Sequence, residues 1–212
     1  MRERTAFIVG AGEFTPRGLR PLPGDAVVAA DGGHDALLRH GIRADLVVGD
    51  MDSVILPIRS VARLRFPAKK DDTDMALAVR LMAARGFTRF RLYGALGGRL
   101  DHSVANLHLL ADMSRRGLRA AITAPGVTVF GVTAGELRFP PLPRGRVVSV
   151  FAWGGEARGV TLRGLAYPLK DASLSPFRAL GVSNEALGRP FSISCREGTL
   201  LVVLPERAQK PE

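Results

Sequence analysis

Short apolar runs alternate with amphipathic segments over the first two-thirds of the chain. The runs "TAFIV", "AVVAA" and "LVV" end at Gly or Asp, as buried strands of a parallel sheet often do. "FRLY" and "RAAITA" predict further strands, and "RLRF" predicts a weaker one. Apolar residues at helical spacing predict helices over residues 34–41, 72–86 and 101–117. The alternation indicates an α/β domain with a mostly parallel open sheet and flanking helices.

The pattern changes near residue 132, where helical spacing gives way to short strand patterns broken by Gly and Pro. "RVVSVFAW", "FSISCREG" and "TLLVVLP" alternate with period two, which is typical of strands with one buried face. In "GVTLRGLAYPL" the alternation slips at Arg163-Gly164, which predicts a bulge or bend. We therefore expect an α/β domain over residues 1–132, followed by a smaller all-β sandwich or barrel domain over 133–212.

Composition narrows the class of protein. Hydrophobic residues make up 46% of the chain and charged residues 24%, as in ordinary globular domains. No apolar run is long enough to span a bilayer, and the first residues lack the apolar stretch of a signal peptide, so we expect a cytoplasmic protein. The single cysteine, Cys195, excludes an internal disulfide and a cysteine-based zinc site.

The formal net charge is +10, and all but four of the 30 basic residues are Arg. They are scattered along the chain, and aromatic residues make up only 6% of it. A nucleic-acid-binding surface usually gathers its basic residues and interleaves aromatic ones. The charge is therefore interpreted as a solvated surface that attracts anionic ligands, with a nucleic-acid-binding module as an alternative.

Acidic or Gly-rich motifs follow the predicted strands of the α/β domain. In an open parallel sheet, ligands bind outside the carboxyl ends of the strands, where such loops converge. The motifs are "ADGG" (30–33), "GDMDS" (49–53), "KKDDTD" (69–74) and "GALGGRLDH" (94–102). Their shared edge predicts one polar site.

The carboxylates of this edge are suited to a hard cation. Asp50 and Asp52 leave a strand at i and i+2, and Asp71 and Asp74 flank a helix start at i and i+3. Oxygen ligands of this kind favour Mg²⁺, which keeps several waters and is usually completed by substrate phosphates.

Phosphate-binding groups accompany the carboxylates. The Gly-Gly pairs at 32–33 and 97–98 let backbone N–H groups approach phosphate oxygens, and the predicted helix starts favour anions. Lys70 and Arg99 are cationic partners for the charge that develops in phosphoryl transfer. The phosphate loop G-x-x-x-x-G-K-[ST] is absent, so the site must have another design.

Each motif alone also has a structural explanation. Asp31 before two glycines suits a turn, and the acidic residues near 71–74 suit a helix start. Asp101 is an expected N-cap, and His102 and Asn106 could belong to a solvated helix face. "GDMDS" by itself fits a turn as well as a metal site. The ordered set carries more weight than its members.

In order and spacing the set resembles the thiamine pyrophosphokinase family. The matching residues are Asp31-Gly32-Gly33, Gly49-Asp50-Met51-Asp52-Ser53, Lys70-Asp71-Asp72-Thr73-Asp74, and Gly94 with Gly97-Gly98-Arg99-Leu100-Asp101-His102 and Asn106. "GVTLRGLAYPL" and "GVSNE" (181–185) resemble the family's second region. The resemblance extends over residues 5 to 205.

The resemblance implies an enzyme that transfers the β,γ-diphosphate of ATP to the hydroxyl of thiamine, giving thiamine diphosphate and AMP. It also implies Mg²⁺ as cofactor, a homodimer with active sites shared between subunits, and neither a nucleic-acid nor a membrane partner.

By position, the resemblance implies that Asp50, Asp52 and Asp74 hold Mg²⁺ and the phosphates, with Lys70, Arg99 and Asp101 as further catalytic residues. The implied ATP-binding residues are Asp31, Gly32, Gly33, Asp71, Thr73, Gly97, Gly98, His102 and Asn106. Ser183 and Asn184, from the partner subunit, would contact thiamine.

Some assignments stay open at this level. Asp74 or Asp101 could accept the proton of the thiamine hydroxyl. Trp153 could stack on thiamine, but it fits a core aromatic of the β domain better. A Mg-ATP pyrophosphokinase of the same fold could act on another alcohol such as a pterin, although "GVSNE" favours thiamine. A non-catalytic nucleotide-binding regulator would have no need of paired metal carboxylates.

Overall fold

The structure is a computed structural model and describes residues 2–58, 61–66 and 72–206. Two compact units divide it. Unit 1 consists of the chain up to Leu109 together with Leu118–Pro125, and unit 2 of Leu110–Gly117 together with the chain from Gly126 onward. The predicted domain boundary at residue 132 stays a prediction.

Unit 1 is built on parallel strands, in agreement with the predicted α/β fold. Its strands are β1 (Thr5–Val9), β2 (Ala26–Ala30), β3 (Leu46–Gly49), β4 (Ala62–Arg65), β5 (Arg89–Tyr93) and β6 (Arg119–Ala124). They lie in the order β6-β5-β1-β2-β3-β4, and every pair is parallel. All five residues of β1 are buried, as its continuous apolar run predicts.

The helices are α1 (Gly33–Arg39), α2 (Asp74–Ala84) and α3 (Leu100–Arg115). Leu37 of α1 packs with Phe7, Val9 and Val27 in a buried cluster on one face of the sheet. Helix α2 packs against β1, β2 and β3 and buries Met75, among other residues. No helix in the described part of the chain is long and apolar enough to cross a membrane.

The helices end near the predicted stop signals, and each begins within two residues of its predicted start. Gly41 and Gly86 follow α1 and α2 with φ of 67° and 82°, a conformation that Gly adopts without strain. Helix α3 begins at Leu100, so Asp101 lies in its first turn and is not its N-cap. The acidic residue still favours the positive end of the helix dipole from there.

Unit 2 contains two antiparallel sheets, which confirms the predicted all-β sandwich. Its strands are β7 (Val127–Thr133), β8 (Glu136–Phe139), β9 (Val147–Ala152), β10 (Ala157–Arg163), β11 (Leu169–Leu174), β12 (Asn184–Glu185), β13 (Phe191–Ser194) and β14 (Thr199–Pro205). The sheets run β12-β9-β14-β7 and β11-β10-β13-β8, and residues from both form one buried apolar cluster.

The bend predicted at Arg163-Gly164 coincides with the end of β10. Gly164 has φ 77°, and a Cβ there would lie 2.5 Å from the Pro190 carbonyl oxygen. The register of β10 against β11 shifts earlier, between Ala157 and Leu162.

Candidate active site

The described part of unit 1 holds a cavity of about 520 Å³ at the carboxyl end of its sheet. The sequence order of the strands reverses beside β1, because β2, β3 and β4 extend to one side and β5 and β6 to the other. In open α/β sheets this reversal leaves a crevice outside the strand ends, where ligands bind. The cavity is lined by the ends of β1, β2, β3 and β5 and by the starts of α2 and α3.

Most of the predicted site residues meet in this cavity. Those that line it are Asp31, Asp50, Asp52, Thr73, Asp74, Gly97, Gly98, Arg99, His102 and Asn106. Lys70 and Asp71 lie outside the described residues. The described residues of the four motifs therefore converge on one edge of the sheet, as expected from its parallel strands.

Three carboxylates form a compact group in the cavity. Asp31, Asp50 and Asp74 each offer an oxygen, and these oxygens lie within 4.8 Å of one another. Asp31 is buried, whereas Asp50 and Asp74 are half-buried. Three acidic oxygens this close repel one another unless a cation or protons lie among them.

Backbone geometry brings Asp31 into this group. Its φ of 49° lies in the left-handed region, which Asp tolerates better than most residues. Gly49 leaves room for the approach, because a Cβ there would lie 3.0 Å from the Asp31 Cβ and 3.2 Å from Asp74 Oδ1. The glycine before "DMDS" thus permits the close packing of the carboxylates.

The environment of Asp31 fits a cation. Burial raises the pKa of Asp31, and the nearby charges of Asp74 and Asp52 raise it further. Asp31 Oδ1 is buried and has no hydrogen-bond partner among the described residues. Buried carboxylate oxygens are normally paired, so an unpaired one on a residue whose carboxylate lies beside two others suits a divalent metal ion. The residues present therefore fit Mg²⁺.

The "GDMDS" segment is a turn as well as part of the site. The Asp52 N–H donates to Asp50 Oδ1 at 3.3 Å, and the Ser53 hydroxyl donates to Asp52 Oδ1 at 2.9 Å. Met51 has φ 68° and packs against the buried cluster around Leu37. Asp52 is exposed and lines the cavity, but it lies outside the group formed by Asp31, Asp50 and Asp74.

The start of α2 fixes Asp74. Thr73 is the N-cap, and its Oγ1 accepts a hydrogen bond from the Ala76 N–H at 3.2 Å. This bond occupies an acceptor site of the hydroxyl and leaves its proton as a donor. Asp74, the first residue of the helix, also lies at the positive end of the helix dipole.

The loop after β5 is held tightly against the loop after β1. Asn106 is buried, and its Nδ2 donates to the Ala95 carbonyl at 2.7 Å. The Gly12 N–H donates to the Gly94 carbonyl at 2.8 Å. A Cβ on Gly12 would lie 2.6 Å from the Leu96 carbonyl oxygen, so the two loops could not approach as closely.

Arg99 and Asp101 form an ion pair at the rim. Arg99 Nη2 lies 2.5 Å from Asp101 Oδ2, and its Nε lies 3.2 Å from Oδ1. Both side chains are exposed. The hydrogen bonds from Arg99 lower the pKa of Asp101 to about 2, and Asp101 in turn raises the pKa of Arg99.

The sequence predicts that Gly32 and Gly33 contact ATP, and the structure shows that both glycines are closely packed. Neither lines the cavity. A Cβ on Gly33 would overlap the Val9 carbonyl, and one on Gly32 would lie 3.1 Å from the Ala11 Cβ. The two glycines let α1 begin directly against the end of β1, and their proposed contact with ATP stays a prediction.

The predicted thiamine-binding residues lie in unit 2. Ser183 is exposed and has φ 59°, and its N–H donates to Ser149 Oγ at 3.1 Å. Asn184 is buried, and its amide pairs with the backbone of Tyr167: Oδ1 accepts from the Tyr167 N–H at 2.9 Å, and Nδ2 donates to its carbonyl at 2.6 Å. Trp153 is half-buried beyond the end of β9.

The loop after β1 also belongs to the site, although the sequence motifs did not include it. Gly10, Ala11 and Gly12 line the cavity, as do Met75 and Ala95. Gly-Ala-Gly directly after the first strand was an available signal, because the carboxyl end of every parallel strand points to the same edge. It matches no standard phosphate-loop pattern, so spacing alone did not identify it.

The fold and the cavity together define a class of protein. A carboxylate group suited to Mg²⁺ lies beside glycine-rich loops and an arginine on an α/β unit, which is the equipment of phosphoryl-transfer enzymes. Two family models match the chain: the thiamin pyrophosphokinase catalytic domain over residues 24–122 and the thiamin pyrophosphokinase vitamin B1 binding domain over residues 136–200. The chain belongs to the thiamin pyrophosphokinase family.

Individual relatives agree with this assignment. Thiamine pyrophosphokinase of Bacillus subtilis (strain 168) is 25% identical over 182 residues, which cover 83% of this chain and 85% of that protein. A crystal structure of thiamin pyrophosphokinase from Geobacillus thermodenitrificans superposes with a TM-score of 0.81 at 27% identity, over 97% of this chain and 99% of that chain. Thiamin pyrophosphokinase from Candida albicans shares the fold, with a TM-score of 0.80 at 12% identity over 96% and 90% of the two chains.

The family defines the reaction. The chain is a diphosphotransferase that uses ATP and converts thiamine to thiamine diphosphate. A pterin alcohol as acceptor and a nucleic-acid-binding function find no support in these matches, and the predicted fold class is confirmed.

Proposed function

We propose that the cavity of unit 1 binds ATP with Mg²⁺ and transfers the β,γ-diphosphate to the hydroxyl of thiamine, releasing AMP. The observation that carries this proposal is the group formed by Asp31, Asp50 and Asp74, with its unpaired buried oxygen, beside the glycine-rich loops of the described chain. The use of ATP also supports a cytoplasmic location.

Asp50 and Asp74, with Asp31, would hold Mg²⁺, and Asp52 would supply a further oxygen from the same turn. The metal ion would neutralise charge on the β- and γ-phosphates during transfer. The carboxylates are held by the tight turn after β3 and by the N-cap of α2, so little reorganisation is needed on binding.

The phosphates would lie along the glycine-rich loops. Gly97 and Gly98 expose backbone at the cavity wall, and His102 and Asn106 lie on the adjoining helix. Arg99 would exchange its bond to Asp101 for one to a phosphate, because the pair is exposed and such pairs contribute little stability. We also propose that Lys70, Asp71 and Thr73 contact ATP.

Proton removal from the thiamine hydroxyl is better suited to Asp74 than to Asp101. Asp101 does not line the cavity, so its carboxylate is not placed to contact the substrate hydroxyl. Asp74 lines the cavity within the carboxylate group. Asp101 would instead orient Arg99 before ATP arrives.

Thiamine would be contacted by the Ser183 segment of unit 2. Ser183 is exposed, so its hydroxyl is accessible to a ligand. The Asn184 amide is already bonded to the Tyr167 backbone, and we propose that it acts by fixing this segment. Tyr167 is 65% exposed, and its aromatic face is suited to a flat cationic heterocycle.

We further propose a homodimer with active sites shared between subunits. Unit 2 exposes large apolar side chains close together in the chain: Phe177 is 97% exposed and Leu180 51%. Phe151 is 37% exposed, and the N–H of the preceding Val150 donates to the carbonyl of Gly181, directly after Leu180. Such patches usually mark protein interfaces.

The direct test is incubation with ATP, Mg²⁺ and thiamine, followed by chromatography of AMP and thiamine diphosphate. We expect the two products in equal amounts, and neither without thiamine. Release of AMP that does not depend on thiamine would contradict the proposal. Replacement of thiamine by a hydroxymethyl pterin should give no transfer.

Asp52→Asn tests the carboxylate role within the same assay. We expect a loss of turnover of at least about 100-fold, since an oxygen ligand is removed from the metal ion that would neutralise the transferring phosphates. Asp112→Asn is the matched control: it neutralises an exposed carboxylate of α3, paired with Arg116 at 3.6 Å, and should retain wild-type turnover. Wild-type rates in Asp52→Asn would refute its role.

A further inference from the structure

The loop that carries Asp50 and Asp52 is held from outside the cavity by a buried carboxylate. Asp35 of α1 is 4% exposed. Its Oδ2 accepts a hydrogen bond from the Ile55 N–H at 3.0 Å, and its Oδ1 accepts one from the Leu56 N–H at 3.1 Å. Two hydrogen bonds to one buried carboxylate hold the loop firmly.

The same helix start also carries Asp31. Asp35 follows Asp31 by four residues, across the glycines that pack α1 against the end of β1. The neighbouring His34 is 2% exposed, and its Nε2 lies 3.5 Å from the Pro57 carbonyl. One rigid segment therefore places Asp31 in the carboxylate group and fixes the loop that supplies Asp50.

The carboxylate end of the loop is tied to β4. Arg65 Nε donates to the Asp50 carbonyl at 3.2 Å, and the Phe66 N–H donates to the Gly49 carbonyl at 3.0 Å. The Arg65 side chain is exposed, so its bond competes with water. The buried bonds to Asp35 are the stronger restraint, and they act on the far end of the loop.

We propose that Asp35 is a positioning residue for divalent-metal binding. It belongs to neither the carboxylate group nor the cavity wall, and it sets the separation between Asp31 and Asp50 by holding the two chain segments at a fixed distance. Groups that orient metal ligands typically change metal affinity by about 10- to 100-fold when removed. The inference rests on the proposed function, because it takes Asp50 as a ligand.

The test is Mn²⁺ binding to the metal-free full-length protein, with free Mn²⁺ measured by electron paramagnetic resonance. Mn²⁺ accepts the same hard oxygen ligands as Mg²⁺. We expect Asp35→Ala to weaken Mn²⁺ binding about 10- to 100-fold. Asp35→Asn keeps one acceptor oxygen, so it should lose less Mn²⁺ affinity than Asp35→Ala. This variant also provides the test if Asp35→Ala does not fold.

Asp25→Ala is the matched control for a merely structural effect. Asp25 also bridges two backbone N–H groups, those of Thr5 at 2.7 Å and Leu22 at 2.9 Å, but it precedes β2 at the opposite edge of the sheet. We expect Asp25→Ala to lower the free energy of unfolding and to leave the Mn²⁺ dissociation constant unchanged.

Turnover provides a second measurement. If Asp35 acts through metal placement, Asp35→Ala should need more Mg²⁺ for half-maximal turnover and should recover most of its rate at saturating Mg²⁺.

Two results would overturn the inference: unchanged Mn²⁺ affinity in folded Asp35→Ala, or an equal loss in Asp25→Ala. Asp50→Asn distinguishes failure of this inference from failure of the proposed function. Unchanged Mn²⁺ affinity in that variant would contradict the proposed metal site itself.

Discussion

Asp31, Met51 and Ser183 share an unusual backbone conformation, with φ of 49°, 68° and 59°. Non-glycine residues in the left-handed region cost free energy, and they persist where the surrounding structure imposes them. Asp31 belongs to the carboxylate group, Met51 separates Asp50 from Asp52, and Ser183 belongs to the proposed thiamine segment. At the residue scale, three of the five described non-glycine residues with positive φ therefore lie in or beside the proposed metal and thiamine positions, whereas Ala134 and Asp171 lie elsewhere.

Asp31→Asn should stabilise the metal-free protein and abolish metal binding. Asn tolerates the left-handed conformation, and the change removes a buried charge whose Oδ1 has no partner among the described residues. We expect the free energy of unfolding at neutral pH, measured by urea denaturation with EDTA, to rise by about 1 kcal/mol.

The gain should depend on pH. The folded-state pKa of Asp31 is raised by burial, so the ionised carboxylate favours the unfolded state. The stabilisation that the protonated group gives is complete below the unfolded-state pKa and is lost as pH rises through the folded-state pKa. The advantage of Asp31→Asn should therefore vanish at acidic pH, and Asp31→Ala should gain less because Ala is strained at this φ.

At the element scale, several strands and helices were predictable from one periodicity that extended over several residues, but β7 was not among the predicted strands. The apolar run of β1 and the helical spacing of α2 both predicted the correct element. Strand β12 (Asn184–Glu185) is too short to show a periodic pattern, so the sequence did not predict it. The start of α3 differed by one residue because Asp101 fits a first-turn position as well as an N-cap.

The sequence predicted that the acidic motifs meet at one edge of the sheet, but it did not predict how their carboxylates are arranged there. Sequence motifs brought Asp50 and Asp74 to the same edge, since parallel strands share it. They could not show that Asp31 replaces Asp52 in the compact group, because that depends on the φ of Asp31 and on the missing Cβ of Gly49. The role of Gly32 and Gly33 in close packing is likewise a tertiary property.

Gly33→Ala tests that packing role. Its Cβ would overlap the Val9 carbonyl, so β1 and α1 would have to separate. We expect a loss of about 1–3 kcal/mol in the free energy of unfolding, as for other overpacked sites, together with weaker Mn²⁺ binding because Asp31 moves with α1.

Gly155→Ala is the matched control for Gly33→Ala. Gly155 lies between β9 and β10 and has no positive φ, and a Cβ there would meet no described heavy atom within 4 Å. The free energy of unfolding should therefore stay within about 0.5 kcal/mol of wild type. An equally small effect of Gly33→Ala would contradict the packing explanation.

At the scale of the whole molecule, the net charge is positive, whereas the proposed metal site is a local group of acidic residues. The chain carries a formal net charge of +10, yet its compact carboxylate group lies in unit 1. The positive surface attracts ATP, while the acidic group would retain the metal ion that accompanies it. The scattered arginines therefore suit an enzyme with an anionic substrate, and the family matches identify one that makes thiamine diphosphate.

The proposed homodimer gives the last prediction. Phe177 is 97% exposed near Leu180, and a side chain of this size at an interface centre usually contributes more than about 1 kcal/mol to association. Phe177→Ser should therefore raise the dimer dissociation constant about tenfold or more, measured by sedimentation velocity over a dilution series. Because the active sites are proposed to be shared, specific activity should fall on dilution in parallel with dissociation. Leu22→Ser, at a 55% exposed position of unit 1, should leave both measurements unchanged. A variant Phe177→Ser that dissociates only at the same dilution as wild type would place the interface on another surface.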